Sequence, residues 1–209
     1  MISNGALLAS YIEDLKAKTG QWSSLGEKHY LDGTARIGHL SKHGSQAYLH
    51  NWYGPLSEAE VDELARIVMQ PIPESLRHFY LHHNGCDLFR RSIVVFGFRK
   101  SYDRADFDTM ACSPFDLVTP AVTRRNMSPS GQGLCICTYQ DKSPVFIEPD
   151  GRVVRTPDDF SRSVLNEWSG FEAWMASEFA RVGGYFDQSG RCTVPLSETA
   201  PRFRSKHWN

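Results

Sequence analysis

The stretch "PIPESLRHFYLHHNGCDLF", residues 71–89, gathers three histidines and a cysteine into a helix-like run and its exit. Two kinds of chemistry use such a set. Imidazoles four positions apart share a helix face and can hold a metal, and a thiol beside an imidazole can become a nucleophile. His78 and His82 have the metal spacing. A zinc-protease helix, however, needs glutamate directly after the first histidine, and Phe79 stands there. Cys86 follows an Asn-Gly pair with His82 and His83 a helical turn back, which makes it the most enzyme-like residue of the chain. Those imidazoles point along the helix while the thiol lies past a reversal, so the spacing does not bring them into contact. Interleaved with Leu76, Phe79, Tyr80 and Leu81, the stretch reads as architecture.

Other sets are equally incomplete. His39 and His43 repeat the i, i+4 spacing inside a Gly/Ser-rich region that is not clearly helical. Cys135 and Cys137 are two apart in an expected strand, which would turn both thiols to one face, but no second pair completes a zinc ligand set. "SPSGQG" at 128–133 lacks the Lys-Ser/Thr of a phosphate loop. Asp103, Asp106 and Asp108 alternate like a calcium ladder without its glycine and closing glutamate. No catalytic residue, metal or cofactor is therefore expected. The remaining enzyme alternative is a Cys- or metal-dependent one using Cys86 with His82 and His83.

Composition narrows the classes further. With 41% apolar and 12% aromatic residues among 209, the chain can build a core, as one domain with elaborations. A net charge of −1 gives no long-range field to draw in a polyanion, so no nucleic-acid partner is expected. The basic residues of "PRFRSKHWN", Arg202, Arg204 and Lys206 near Trp208, read as a solvated end. Five cysteines (Cys86, Cys112, Cys135, Cys137, Cys192) form an odd set without a dense framework, which favours reduced thiols and a cytoplasmic setting. The N-terminal segment lacks a basic start, and Glu13 and Asp14 break its apolar run, so it does not read as a signal peptide. No stretch reaches the ~18 apolar residues of a membrane span.

The elements that would position these residues follow from periodicity. Leu7, Leu8, Tyr11, Ile12 and Leu15 predict an amphipathic helix ended by Gly20. Residues 21–56 read as irregular, with a short strand around "QAYLHNWY". Ser57 with Glu60 is a capping box opening a helix through Val61, Leu64, Ala65 and Val68, stopped by Pro71. Pro73 starts the next helix, with Asn84-Gly85 as its left-handed C-terminal cap. "SIVVFGF" predicts a buried strand at 92–98, residues 99–114 a polar loop, and "PFDLVTPAV" a strand or short helix interrupted at Pro120. "LCICTYQ", "PVFIEP" and "RVVRT" predict an antiparallel meander turned at "DKS" and "DG". Ser169 with Glu172 reads as a second capping box, before a helix burying Phe171, Trp174, Met175, Phe179 and Val182 and closed by Gly183-Gly184. Helices, then strands, then a helix predict an α+β fold with helices packed on a mainly antiparallel sheet.

"IPESLRHFYLHHNGCDLF" followed by "IVVFGF" resembles the signature of the SMI1/KNR4 (SUKH) superfamily. The matching positions are Pro73, Leu76, Phe79, Leu81, Asn84, Gly85, Phe96 and Gly97, although Cys86 stands where the family often has a second glycine. The likeness covers about residues 57–182, as the core of a single SUKH-like domain over 1–184. Residues 1–56 are then an N-terminal extension and 185–209 a tail. The resemblance implies a non-enzymatic binding module. Many bacterial SUKH proteins act as immunity proteins that neutralise a polymorphic toxin, whereas fungal relatives are regulatory scaffolds for cell-wall synthesis. It implies a protein partner, such as a toxin domain, and carries over no catalytic residue. The oligomeric state stays open. Candidate anchors are the exposed members among Trp52, Tyr53, Tyr102 and Phe107, with Asp103, Asp106 and Asp108 placed to imitate phosphate charge.

Overall fold

A computed structural model of the chain describes residues 4–102 and 106–201. Its helices are α1 (Asn4–Thr19), α2 (Glu58–Val68), α3 (Glu74–His82), α4 (Phe107–Ala111), α5 (Val118–Thr123) and α6 (Phe171–Gly183). Two antiparallel sheets accompany them. The first runs β1 (Glu27–His29), β2 (Ala35–His39), β3 (Tyr48–Trp52), β4 (Cys86–Leu88) and β5 (Ile93–Val95), each strand beside the next. The second runs β6 (Leu134–Thr138), β7 (Pro144–Ile147), β8 (Val153–Arg155) and β9 (Asn166–Trp168) in the same manner. The Phe96 N–H donates to the Ile136 carbonyl at 2.9 Å, so the two sheets meet at β5 and β6. This is the expected α+β class.

One apolar core joins helices and sheets. Phe79 of α3 meets Phe171 of α6 edge-on at 5.2 Å, and the Trp174 indole donates to the Tyr139 hydroxyl at 3.0 Å. Phe89, just past β4, contacts Trp22, His50, Phe179 and Phe186, which ties the N-terminal segment, the first sheet and α6 together. Edge-to-face rings of this kind add to the stabilisation from burial alone. Of the α1 stripe, Ile12 and Leu15 are buried; the side chains of Leu7 and Leu8 fall outside the described residues. The capping box at Ser57 and Glu60 forms in both directions, with bonds of 2.8 and 3.3 Å.

Several expectations are corrected. Residues 21–56 are not irregular beyond the one strand expected there, since β1 and β2 accompany β3. Their polar residues disguised them: Arg36 and Asn51 face each other across β2 and β3, and the Arg36 guanidinium donates to Asn51 at 2.8 Å, which lets both be buried. Helix α2 ends before Pro71, through Met69 in the left-handed region (φ 55°). The second capping box does not form, because Gly170 occupies the N-cap position and no side chain caps the helix. Within the expected loop at 99–114, Asp106 caps the short helix α4. A register shift separates Cys135 from Cys137, so simple alternation does not govern where their thiols point.

The most consequential correction concerns Asn84-Gly85. The α3 C-cap is His83, in an extended conformation (φ −147°), and the Asn-Gly pair lies beyond the helix, leading into β4. The Asn84 carboxamide brackets one residue of the opposite segment: its Nδ2 donates to the Phe98 carbonyl at 2.9 Å, and the Phe98 N–H donates to its Oδ1 at 2.6 Å. Gly85 has φ +88°, and a Cβ there would lie 2.6 Å from the Val95 carbonyl oxygen. A Cβ on Gly97 would lie 2.3 Å from the Asn84 carbonyl oxygen. The two segments pass so closely that only glycine fits at either point.

Asn84→Ala removes both partners of a buried backbone N–H and C=O. Unpaired buried groups cost roughly 1–3 kcal/mol each, so we expect a loss of about 2–4 kcal/mol in urea denaturation. A loss below ~0.5 kcal/mol would show that the bracket is incidental.

Candidate functional site

The histidine–cysteine stretch is placed against chemistry. Cys86 lies in β4, opposite Trp52 on one side and Val95 on the other, and is fully buried. Burial pushes its thiol well above the ordinary range, and hydrogen bonding at the Val95 backbone only partly offsets this. His83 is buried beside Trp52, ring centroids 5.0 Å apart, with Nδ1 3.3 Å from the Tyr53 carbonyl oxygen. Desolvation, aided by Lys16, lowers its pKa to about 3. Neither thiolate nor imidazolium is favoured here. His78 approaches Glu74 at 3.9 Å, and among the described residues no three His, Cys, Asp or Glu side chains form a metal-binding group.

A cleft of about 810 Å³ opens where the β1–β2 hairpin turn faces α4. Its apolar wall includes Leu31, Pro55, Phe98 and Pro114. The Asp32-Gly33 turn carries Leu31 fully into solvent, because Asp32 Oδ1 accepts from the Thr34 N–H at 2.9 Å and Gly33 takes φ +90°. Lys28 of β1 reaches across to Asp108 of α4 at 2.7 Å, and Lys100 pairs with Glu60. The Phe98 held by Asn84 lines the same cleft, so the bracket fixes part of its wall.

Of the expected anchors, Trp52 and Tyr53 are corrected. Both are interior, at 0% and 5% exposure: Trp52 ends β3 inside the first sheet, and Tyr53 follows it directly. Tyr102 and Phe107 are exposed, at 62% and 70%, and are chain neighbours of the cleft residues Ser101, Asp106 and Asp108. Asp103 lies outside the described residues. Asp106 accepts from the Asp108 and Thr109 N–H groups at 3.1 and 2.8 Å, and these bonds with the Thr109 hydroxyl hold its carboxyl below the usual range. With Asp106 capping α4 and Asp108 paired to Lys28, both described acids already have partners within the fold. Leu31 was missed from the sequence, although "Asp-Gly" between two extended segments is a hairpin signal.

A family model described as SMI1 / KNR4 family (SUKH-1) matches residues 55–177. The match spans more than half of the chain, which belongs to this family. Domains of the family generally bind protein partners and are generally non-enzymatic. No curated protein matches the chain. The matched residues begin after β3, so the cleft lies at the seam between the family core and the preceding hairpin. Among the described residues, no helix is long and apolar enough to cross a membrane.

Thiol reactivity tests this assignment of Cys86. Cys112 and Cys192 are partly exposed, with Cys112 pushed up to about 11 by burial and nearby Asp32. A thiol reagent at pH 8 should label Cys192 first and Cys112 slowly. It should reach Cys86, Cys135 and Cys137 only on unfolding. Labelling of Cys86 ahead of Cys192 in the native protein would restore the enzyme reading.

Proposed function

We propose that this chain is a non-enzymatic protein-binding domain, and specifically an immunity protein that neutralises a bacterial polymorphic toxin in the cytoplasm by occluding its active site. The observation that carries the reading is the cleft with its apolar projections. Leu31 lines the cleft beside Pro55, Phe98 and Pro114, and the exposed Tyr102 and Phe107 adjoin its lining residues Ser101, Asp106 and Asp108 in the chain, an arrangement suited to a partner's surface. A lone exposed apolar side chain is ordinary, whereas several at the rim of one cleft suit a binding face. Asp106 and Asp108 give that rim its acids, and Lys28 and Lys100 oppose them. Such mixed charge favours orientation of a partner over raw attraction.

In this reading the chain is one domain with a family core over about 57–182. The N-terminal hairpin is an addition that contributes half of the binding face, and residues from 185 onward form a C-terminal addition. Family membership and the burial of Cys86 and His83 support the absence of catalysis.

The test uses the purified chain and candidate polymorphic-toxin domains from the same genome. A one-to-one complex of nanomolar affinity, about −12 kcal/mol, should abolish the toxin's activity. Leu31→Glu combined with Phe107→Ala, both at exposed positions, should leave the fold intact and weaken binding by about 2–4 kcal/mol. Full inhibition by that double variant would move the binding face elsewhere. Stable association with a household complex and none with the toxin would replace immunity with the regulatory-scaffold role.

A further inference from the structure

A second concavity, of about 560 Å³, lies on another part of the surface, and its charge is one-sided. Lys42, Arg90 and Arg191 line it with His39 and His43, and no carboxylate does. The three cations come from three separate segments. Lys42 sits in the 3-10 turn Ser41–His43, Arg90 in the turn after β4, and Arg191 in the turn that follows α6. None of the ion pairs among the described residues uses any of them. The acid beside Arg191 in sequence space, Asp187, is committed to its own turn, where Oδ1 accepts from the Ser189 and Arg191 N–H groups and from the Ser189 hydroxyl. Arg191 acts on that carboxylate only through space.

The segments are held in place. The Trp22 indole donates to the Asp187 carbonyl at 2.8 Å, and the Arg90 N–H to the Leu49 carbonyl at 3.0 Å. A Cβ on Gly190 would strike Leu40 at 2.9 Å, so this turn lies directly against the β2–β3 connection. Phe89, Arg90 and Arg91 all adopt left-handed backbone, at φ 52°, 55° and 69°, a conformation that non-glycine residues rarely hold in succession. Like charges gathered without an ion-pair partner repel one another, and the fold maintains this arrangement on a strained turn. The floor is apolar, with Leu25, Leu40, Val194 and Leu196, and the volume falls in the range of small-ligand sites.

We propose that the pocket formed by Lys42, Arg90, Arg191, His39 and His43 over this apolar floor binds a small phosphate monoester of mononucleotide size. The cations and imidazoles engage the phosphate oxygens, and the apolar floor takes the organic body. Apart from Arg90, every residue lining the pocket lies outside residues 55–177, so the site is built mainly from segments added to the family core and shares no lining residue with the cleft beside α4.

The test is calorimetric titration of the full chain with adenosine 5′-monophosphate, with adenosine and inorganic phosphate as controls. The monophosphate should bind saturably, more tightly than inorganic phosphate, while adenosine should not bind measurably. Affinity should fall as salt rises from about 20 to about 200 mM. Lys42→Gln with Arg191→Gln, both at exposed positions, should weaken it roughly tenfold or more without changing the melting temperature. Arg90→Gly removes the third cation and relaxes its left-handed backbone. It should weaken binding while leaving the fold as stable or more so. Absence of saturable binding, equal binding of adenosine, or undiminished affinity in the charge variants would overturn the proposal. So would a poly-glutamate peptide that outcompetes the monophosphate, which would assign the pocket to an acidic protein instead.

Discussion

The close crossing of two chain segments at Asn84–Gly85 and Gly97–Phe98 is the constraint on which the rest of the molecule depends. Two glycines let the backbones approach to a distance no side chain tolerates, and one carboxamide satisfies both polar groups of Phe98. The crossing has consequences in each direction along the chain. It starts β4 against β3, leads β5 to the second sheet, and sets Phe98 into the wall of the cleft. Tyr80 of α3 reinforces the junction by donating its hydroxyl to the Phe96 carbonyl at 2.8 Å.

The scaffold belongs to a family whose domains generally bind protein partners. Its histidine and cysteine side chains of greatest interest are spent on packing: His50 between Trp22 and Phe89, His83 on Trp52, Cys86 inside the sheet. The proposed binding features lie where the segments outside the family core meet it. One such place is the apolar-rimmed cleft beside the first hairpin, and the other is the cationic pocket under the C-terminal segment. A common core carrying different additions is an economical way to hold one fold while varying what it recognises.

How much of this was legible in the sequence depended on whether local pattern and tertiary role agreed. Helices α2, α3 and α6 and the β6–β8 meander declared themselves, because their buried faces follow helical or alternating spacing and their turns carry Asp-Gly or a capping box. Strands β1 and β2 did not, and β3 showed only as an isolated short strand, because Arg36, His50 and Asn51 are polar residues buried within the first sheet, where alternation predicts apolar ones. Asn84-Gly85 misled for a related reason: a left-handed glycine after a helix reads as a cap, while its role here is set by a segment a dozen residues onward. The site was legible only in part. Tyr102 and Phe107 lie in a polar stretch and are exposed, but Trp52 and Tyr53 belong to an unrecognised sheet, and their burial had no local signature.

The central claim is that the histidine–cysteine stretch is structural, and the protonation of His83 tests it most directly, with His50 of β3 as a second buried ring for comparison. Around His83 lie Glu13, 3.8 Å from Nε2, which favours the charged ring, and Lys16 and His82, which oppose it; desolvation decides the balance. Burial alone lowers His50, and both rings titrate at about 3 in the folded protein. In the unfolded chain they titrate near ~6.5, so their contribution to stability is complete above that value and is lost as pH falls toward 3. Ring resonances followed by NMR should therefore stay at their neutral positions from pH 8 down to about 5, with the fold intact. An inflection near pH 6.5 for His83 in the folded protein would contradict the account, because it would reveal a solvated, chemically available imidazole three residues from Cys86.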